Sequence, residues 1–178
     1  MGPEPRLDYA TILRGLADRS VRFVVIGGQA VLLHGIPLFS FDFDLWVDPA
    51  SRADVLGWLR EDDELEVSDG AARPTPIVRV FAGRERMDLF FVKAMTNRDG
   101  VTLTLDEVLA RAESLSDPAA GLHAVPVPSI DDLIALKRMA PAPRSKDEEA
   151  IRQLLAKKHL RALGLGAAAE PKTGDKAG

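Results

Sequence analysis

The sequence predicts an α+β (mixed α/β) fold, in which helices flank a central mixed β-sheet and a helical segment lies at the C-terminal end. Short β-branched and aromatic runs alternate along the chain with segments whose apolar residues recur at helical spacing. Two serines near the C-terminus are each followed three residues later by an acid, a pattern that begins helices. The 178 residues can bury one hydrophobic core, so we expect a single domain over 1–163 and a disordered tail over 164–178.

The first part of the chain contains signals for three helices and two strands. Asp8 is suited to cap a helix whose apolar stripe ends at Leu16. A β-branched run ends at the pair Gly27-Gly28, and Asp48 followed by proline is typical of a helix start. The expected elements are a helix from Tyr9, a strand over 21–26, a helix over 29–34, a strand over 41–47 and a helix over 48–59.

The second part begins with an acidic stretch, 61–64, that is expected to be a solvated loop. A tight turn at Ala82-Gly83 separates two predicted strands. Pro141-Ala142-Pro143 cannot lie inside a helix and separates the helices that begin at Ser129 and Ser145. The expected elements are strands over 77–81 and 86–92, a helix over 106–112, an extended segment over 125–127 and the two C-terminal helices.

Composition excludes several kinds of site. The chain has no cysteine and only three scattered histidines, which argues against disulfides and against a zinc centre. Its net charge of −4 is not that of a dedicated nucleic-acid binder, although it leaves room for a local basic patch. The N-terminal residues do not resemble a signal peptide and no apolar run approaches a membrane span, so we expect a cytoplasmic protein without membrane contact.

The most informative motif is the pair Asp42 and Asp44. In a strand these two side chains lie on one face, while Phe41, Phe43 and Leu45 lie on the other. Two close carboxylates repel each other, and a divalent cation such as Mg²⁺ between them and a triphosphate is a common reason for such a pair. Alternatively, the two aspartates have no role in metal binding and are an incidental D-x-D in a surface loop or at a hairpin edge.

Two further features accompany that pair. The Gly27-Gly28 step before a helix can present free N–H groups to a phosphate, although it may serve only a tight turn. Asp88 lies alone in an apolar strand, where a carboxylate is costly to bury without a partner. Either that strand neighbours the Asp42 strand and three carboxylates meet, or Arg84 or Arg86 simply pairs with Asp88.

This order of motifs resembles the nucleotidyltransferase superfamily of the DNA polymerase β type. The matching elements are Ile26-Gly27-Gly28, the helix over 29–34, Asp42-Phe43-Asp44-Leu45 and the later Asp88. The stretch over 27–47, together with 129–137 and 144–147, is similar to minimal nucleotidyltransferase-like proteins that include the AbiEii toxins. The resemblance spans about 21–155. One departure is Leu38-Phe39-Ser40, where those proteins usually carry R-x-T, so that only the hydroxyl is kept.

The resemblance implies a Mg²⁺- or Mn²⁺-dependent transfer of an NMP, for example from ATP, to an acceptor hydroxyl. The acceptor could be tRNA, a protein or a small molecule, and an antitoxin partner is implied by the toxin-type members. The implied metal ligands are Asp42, Asp44 and Asp88, with Asp88 also assisting deprotonation. Implied nucleotide contacts are Gly27, Gly28, Gln29 and Ser40, and Lys137 is the implied catalytic cation.

Other side chains are open to more than one interpretation. Lys137 is either a phosphate contact or a surface lysine, and Asp147 either orients it or only stabilises its own helix start. Trp46 shares the aspartate face and either stacks on a base or lines a pocket rim. Arg138 and Arg144 either add positive potential or face solvent. We do not expect His34 to be catalytic, because it lies at a helix end.

Two other functions remain open from sequence. The missing arginine before the aspartates favours a non-catalytic module that binds a nucleotide or a partner and has kept the fold. A D-x-D motif also occurs in glycosyltransferases that bind a metal and a nucleotide-sugar, but the glycine pair and the small size argue against this class.

Overall fold

The computed structural model describes residues 5–40, 42–68 and 75–165. Most of the expected helices are present, with shifts of one to three residues at their ends. A short 3₁₀ turn, Pro49–Ser51, precedes the third helix. The helices are α1 (Tyr9–Asp18), α2 (Gly27–Leu33), α3 (Arg52–Leu59), α4 (Leu105–Ala110), α5 (Ile130–Lys137) and α6 (Ser145–Ala162).

The described strands form a five-stranded mixed sheet and two hairpins, and the mixed sheet confirms the predicted fold class. The central sheet has the order β1-β2-β5-β4-β3, in which only the β2–β5 pair is parallel. The hairpins β6–β7 and β8–β9 were not predicted, apart from the extended segment 125–127. The strands are β1 (Phe23–Ile26), β2 (Phe43–Val47), β3 (Glu66–Ser68), β4 (Ile77–Ala82), β5 (Glu85–Phe90), β6 (Ala94–Thr96), β7 (Thr102–Thr104), β8 (Glu113–Asp117) and β9 (Leu122–Val127).

Strand β2 separates two hydrophobic clusters on opposite sides of the sheet. Phe43, Leu45 and Val47 are buried in the larger cluster, as their alternation predicts. The Phe43 ring also stacks on Tyr9 of α1, with ring centroids 4.4 Å apart. The predicted core position Phe41 lies outside the described residues.

Trp46 lies on the opposite face, and both predictions for it are wrong. Its side chain is fully buried in the smaller cluster, beside Val24, Val108 and Leu136. Its indole N–H donates to the carbonyl of Val92 at 2.7 Å. Residues of α4 and α5 cover this ring, so it is neither free to stack on a base nor placed at a rim.

The two C-terminal helices begin differently. The Ser129 hydroxyl accepts from the N–H of Asp132 and caps α5, as predicted. For α6 the predicted cap is wrong: Arg144 occupies the cap position and its side chain accepts no backbone N–H, and Ser145 is the first helical residue. The Glu148 side chain, which a capping box requires, instead accepts from Arg98.

The predicted C-terminal tail and the predicted absence of a membrane span can be compared with the described residues. The expected tail begins at Gly164, just after α6, and its residues 166–178 lie outside the described part. No helix within the described ranges has the length and hydropathy needed to cross a bilayer.

We expect Trp46→Phe to lower the free energy of unfolding by about 2 kcal/mol or more. It leaves the Val92 carbonyl without its donor and opens a small cavity. Urea unfolding, followed by the fluorescence of Trp58, measures this loss, since the chain has 2 tryptophans. The exposed Val101→Ala is the control and should change stability by less than about 0.5 kcal/mol. Equal midpoints for both variants would contradict the role given to the indole bond.

Candidate active site

The parallel pairing of β2 with β5 places the predicted carboxylates side by side. The register sets Phe43 opposite Met87 and Asp44 directly opposite Asp88. Side chains directly opposite each other in a ladder are neighbours, so two aspartates meet across adjacent strands. Asp42 precedes β2 and lies on the same face as Asp44.

These carboxylates lie in a pocket of about 420 Å³ at the end of β1. Most of the predicted site residues line it, and Gln29 does not. Its polar lining comprises Gly27, Gly28, Ser40, Asp42, Asp44, Arg86, Asp88, Lys137, Arg144, Lys146 and Asp147. Arg86 and Lys146 were not among the predicted site residues.

A larger cavity of about 740 Å³ lies against α1 and β9, near Phe23 at the other end of β1. Its lining is mostly apolar and includes Leu13, Val21 and Leu122. Since it contains no cluster of carboxylates, the smaller polar pocket is the better candidate for chemistry.

Asp44 is a strongly perturbed carboxylate. Burial, together with the nearby charges of Asp88 and Asp42, raises its pKa to about 6 against the opposing charges of Lys137 and Arg86. It forms no ion pair with any basic side chain in the described ranges. Without an added cation, the fold therefore holds on to the proton of this carboxyl to a higher pH than an ordinary aspartate does.

Arg86 connects the other two carboxylates. Its Nη2 lies 3.0 Å from Asp42 Oδ2 and its Nε lies 3.2 Å from Asp88 Oδ1. Asp88 thus lies beside its fellow aspartate and also has the arginine partner that the alternative interpretation required. Its pKa is raised by burial, against the opposing charges of Arg86 and Arg79.

The glycine pair approaches the site closely, and its placement corrects the expected helix boundary. Gly27 and Gly28 form the first turn of α2 and do not precede it, and Gly27 has φ +71°. A Cβ on Gly27 would overlap the Asp44 carboxylate, and one on Gly28 would overlap the Ser40 hydroxyl. Only glycine permits this approach at Gly27.

Of the other two nucleotide contacts that the resemblance implied, Ser40 lies in the pocket and Gln29 does not. Ser40 lines the pocket, and its hydroxyl donates weakly to the carbonyl of Asp42 at 3.4 Å. The Gln29 side chain is turned towards the Ser40 carbonyl, at 3.5 Å, and does not line the pocket.

Lys137 is not a surface lysine. Its side chain is 10% exposed, and its Nζ lies 3.3 Å from Asp147 Oδ1. Asp147, itself 1% exposed, also accepts from Arg144 Nε at 2.5 Å. It therefore both orients Lys137 and lies in the first turn of α6. Burial lowers the pKa of Lys137, and the Asp147 charge opposes that effect.

His34 has no part in this pocket. It is buried, its Nε2 lies 2.8 Å from the Pro128 carbonyl, and burial lowers its pKa. The pocket wall near α5 and α6 holds Lys137, Arg144 and Lys146 around Asp147, and the wall formed by β2 and β5 holds Asp44 and Asp88 beside Arg86.

The residues present fit a divalent cation, although they do not form a finished metal site. Within the described ranges, no three acidic or imidazole side chains are already grouped as metal ligands. Asp42 and Asp88 are instead paired with Arg86. The fit rests on Asp44 and Asp88, which lie in register as oxygen donors of the kind that Mg²⁺ prefers.

No protein-family model and no curated protein matches the sequence. Solved structures do match. The lincosamide antibiotic adenylyltransferase LnuA, bound to lincomycin, is 16% identical with a TM-score of 0.61, over 84% of this chain and 95% of that one. ANT(2")-Ia in complex with adenylyl-2"-tobramycin is 16% identical with a TM-score of 0.56, over 86% and 89% of the two chains.

These likenesses establish the fold. The chain has the fold of these two adenylyltransferase structures, which is the fold that the resemblance implied. The closer resemblance to the AbiEii toxins finds no counterpart among these structures and stays a prediction.

Gly27→Ala should cost more stability than Gly100→Ala. Both glycines have positive φ, so each substitution carries a backbone cost of about 1–2 kcal/mol. At Gly100 no described atom lies within 4 Å of the added Cβ, whereas at Gly27 the methyl must displace the Asp44 carboxylate. Thermal unfolding of both variants measures the difference, and equal losses would show that the carboxylate does not lie against Gly27.

Asp44→Asn should stabilise the protein at pH 8 and lose that advantage towards pH 4. The folded-state pKa of Asp44 is raised, so its effect on stability becomes unfavourable as pH rises from about 4 through about 6. An amide does not ionise and avoids this loss, which is about 2–3 kcal/mol at high pH. Melting temperatures across that range test it, with the exposed Asp63→Asn as control. A difference between wild type and Asp44→Asn that is independent of pH would contradict the charge argument.

Proposed function

We propose that the protein is a metal-dependent nucleotidyltransferase that transfers an NMP from an NTP to an acceptor hydroxyl. The observation that carries this proposal is the pairing of Asp44 with Asp88 across parallel strands, at the glycine turn that leads into α2. Two carboxylates held this close, both with a raised pKa, are expected where a cation binds during function.

In this proposal Asp42, Asp44 and Asp88 hold Mg²⁺ or Mn²⁺ together with the donor phosphates. The metal supplies charge neutralisation and alignment of the attacking and leaving oxygens. The acceptor oxygen forms a bond to the α-phosphorus while the bond to the β-phosphate bridge breaks and pyrophosphate leaves. Asp88 accepts the acceptor's proton.

The opposite wall and the turn would bind the phosphates. Lys137 is held by Asp147 and can meet a phosphate oxygen as a point charge, and Arg144 and Lys146 lie in the same pocket. Gly27 and Gly28 allow phosphate oxygens to approach the backbone, and Ser40 offers a hydroxyl. Gln29 would contribute its backbone N–H only, since its side chain is turned away.

The support for an acceptor class comes from the ligands of the similar structures and not from the pocket. LnuA carries lincomycin and ANT(2")-Ia carries adenylylated tobramycin, and these two structures support a small-molecule hydroxyl. A tRNA end or a protein side chain remains an alternative acceptor. A toxin role with an antitoxin partner rests on the AbiEii resemblance, and co-expression with a neighbouring gene that relieves growth arrest would support it.

Label transfer tests the proposal. The protein is incubated with each α-labelled NTP, Mg²⁺, and an extract that contains RNA, protein and small molecules. We expect label on one acceptor class with wild type and with Asp63→Asn, and only background with Asp44→Asn, with Asp88→Asn, or after EDTA is added. Asp44→Asn is informative here because it should be more stable than wild type at pH 8, so lost activity does not reflect unfolding.

Transfer that persists in both carboxylate variants would remove these residues from the mechanism. A second candidate, a non-catalytic nucleotide-binding module, is favoured by the ion pairs that Arg86 makes with Asp42 and Asp88. Its signature is binding of Mg²⁺–NTP without release of pyrophosphate, whichever acceptor is present.

A further inference from the structure

Arg86 is the one residue of the pocket whose side chain contacts both outer carboxylates in the described structure. It lies two residues before Asp88 on β5, so both side chains lie on the face that carries Asp44. One guanidinium nitrogen meets Asp42 and another meets Asp88, at 3.0 and 3.2 Å. The guanidinium therefore occupies carboxylate oxygens that a divalent cation would need.

The contact with Asp88 is a poor hydrogen bond. Arg86 Nε and Asp88 Oδ1 are both buried, yet within the described ranges neither has an aligned hydrogen-bond partner. A buried charged group without an aligned hydrogen bond carries a desolvation cost that the ion pair offsets only in part. This pair can therefore be exchanged for a better ligand on each side.

Arg86 also differs from the other basic residues around the carboxylates. Lys137 and Arg144 are both paired with Asp147 on the opposite wall. Arg79 lies 4.0 Å from Asp88, is 58% exposed, and bridges to no second carboxylate among the described residues. Arg86, at 38% exposed, is held by the site but can still reach solvent.

The charges of an incoming cation and its triphosphate determine where the Arg86 guanidinium lies once the nucleotide donor binds. A divalent cation bound by the three aspartates would repel a guanidinium at the same oxygens. A triphosphate that arrives with the cation offers new acceptors, and a guanidinium binds phosphate in a bidentate manner. A free cation without phosphate brings the repulsion alone.

We infer that Arg86 is a resident counter-cation of this pocket: it neutralises Asp42 and Asp88 before the donor binds, and it moves to the donor's phosphate oxygens when a divalent cation takes the carboxylates. This inference rests on the proposed function and deepens it. It makes the pocket selective for a cation that arrives with a polyphosphate over a free cation. Metal and nucleotide then bind with positive coupling.

The test compares wild type with Arg86→Gln, using Arg79→Gln as the matched control. Free Mn²⁺ binding to the full chain is measured by electron paramagnetic resonance without nucleotide. Binding of a non-hydrolysable ATP analogue is measured by calorimetry at saturating Mn²⁺. We expect Arg86→Gln to bind free Mn²⁺ at least about fivefold tighter and the Mn²⁺–analogue complex at least about fivefold more weakly, while Arg79→Gln changes both by less.

Equal or weaker binding of free Mn²⁺ by Arg86→Gln would overturn the inference, as would unchanged binding of the analogue. Arg86→Lys covers the case in which the glutamine variant does not fold. Lysine keeps the charge but cannot bridge two carboxylates as a fork, so its free Mn²⁺ affinity should fall between the other two. A lysine variant that binds free Mn²⁺ no more tightly than wild type would count against competition by the fork.

The outcomes separate this inference from the proposed function. If no label is transferred but both binding shifts appear, the counter-cation role stands and the enzymatic proposal fails. If label is transferred normally and Arg86→Gln shows neither shift, the enzyme proposal stands and the role of Arg86 fails. If neither protein binds Mn²⁺ with or without the analogue, both fail.

Discussion

The pocket is organised by two like charges held side by side. Parallel pairing of β2 and β5 sets Asp44 against Asp88, and the buried strands behind them leave little freedom to separate. Like charges in this position destabilise a sheet. The structure keeps them because Leu45 and Leu89, their neighbours on the other face, are fully buried in the larger core cluster. A shift of register would move those leucines out of the core.

The rest of the pocket limits the cost of that repulsion. Burial, together with the neighbouring acids, raises the pKa of Asp44, and Asp42 and Asp88 share Arg86. On the facing wall, Asp147 pairs with Lys137 and Arg144, so each wall holds acidic and basic side chains in contact. Three carboxylates on one wall and two cations on the other suit a ligand that is itself a cation joined to a polyanion. The glycine turn at Gly27 adds backbone access that a side chain would block.

Local patterns in the sequence predicted much of this, and long-range pairing accounts for the rest. The alternation of apolar and acidic residues along β2 correctly predicted which side chains share a face, because this pattern depends only on neighbouring residues. It could not reveal what covers a face, so Trp46 was expected at an open rim although α4 and α5 bury it. The two polar hairpins, β6–β7 and β8–β9, alternate weakly and gave no clear strand signal. Arg86 was recognisable as a neighbour of Asp88, but its reach to Asp42 depends on which strands pair.

A carboxyl-resolved NMR titration of Asp44 tests the central claim most directly. The account predicts a pKa of about 6 in the free protein, and a large downward shift when Mg²⁺ and a non-hydrolysable NTP analogue are added together. A smaller shift is expected with Mg²⁺ alone. An ordinary aspartate pKa that does not respond to either addition would contradict the account, because it would mean that Asp44 is neither crowded by charge nor a ligand for a cation.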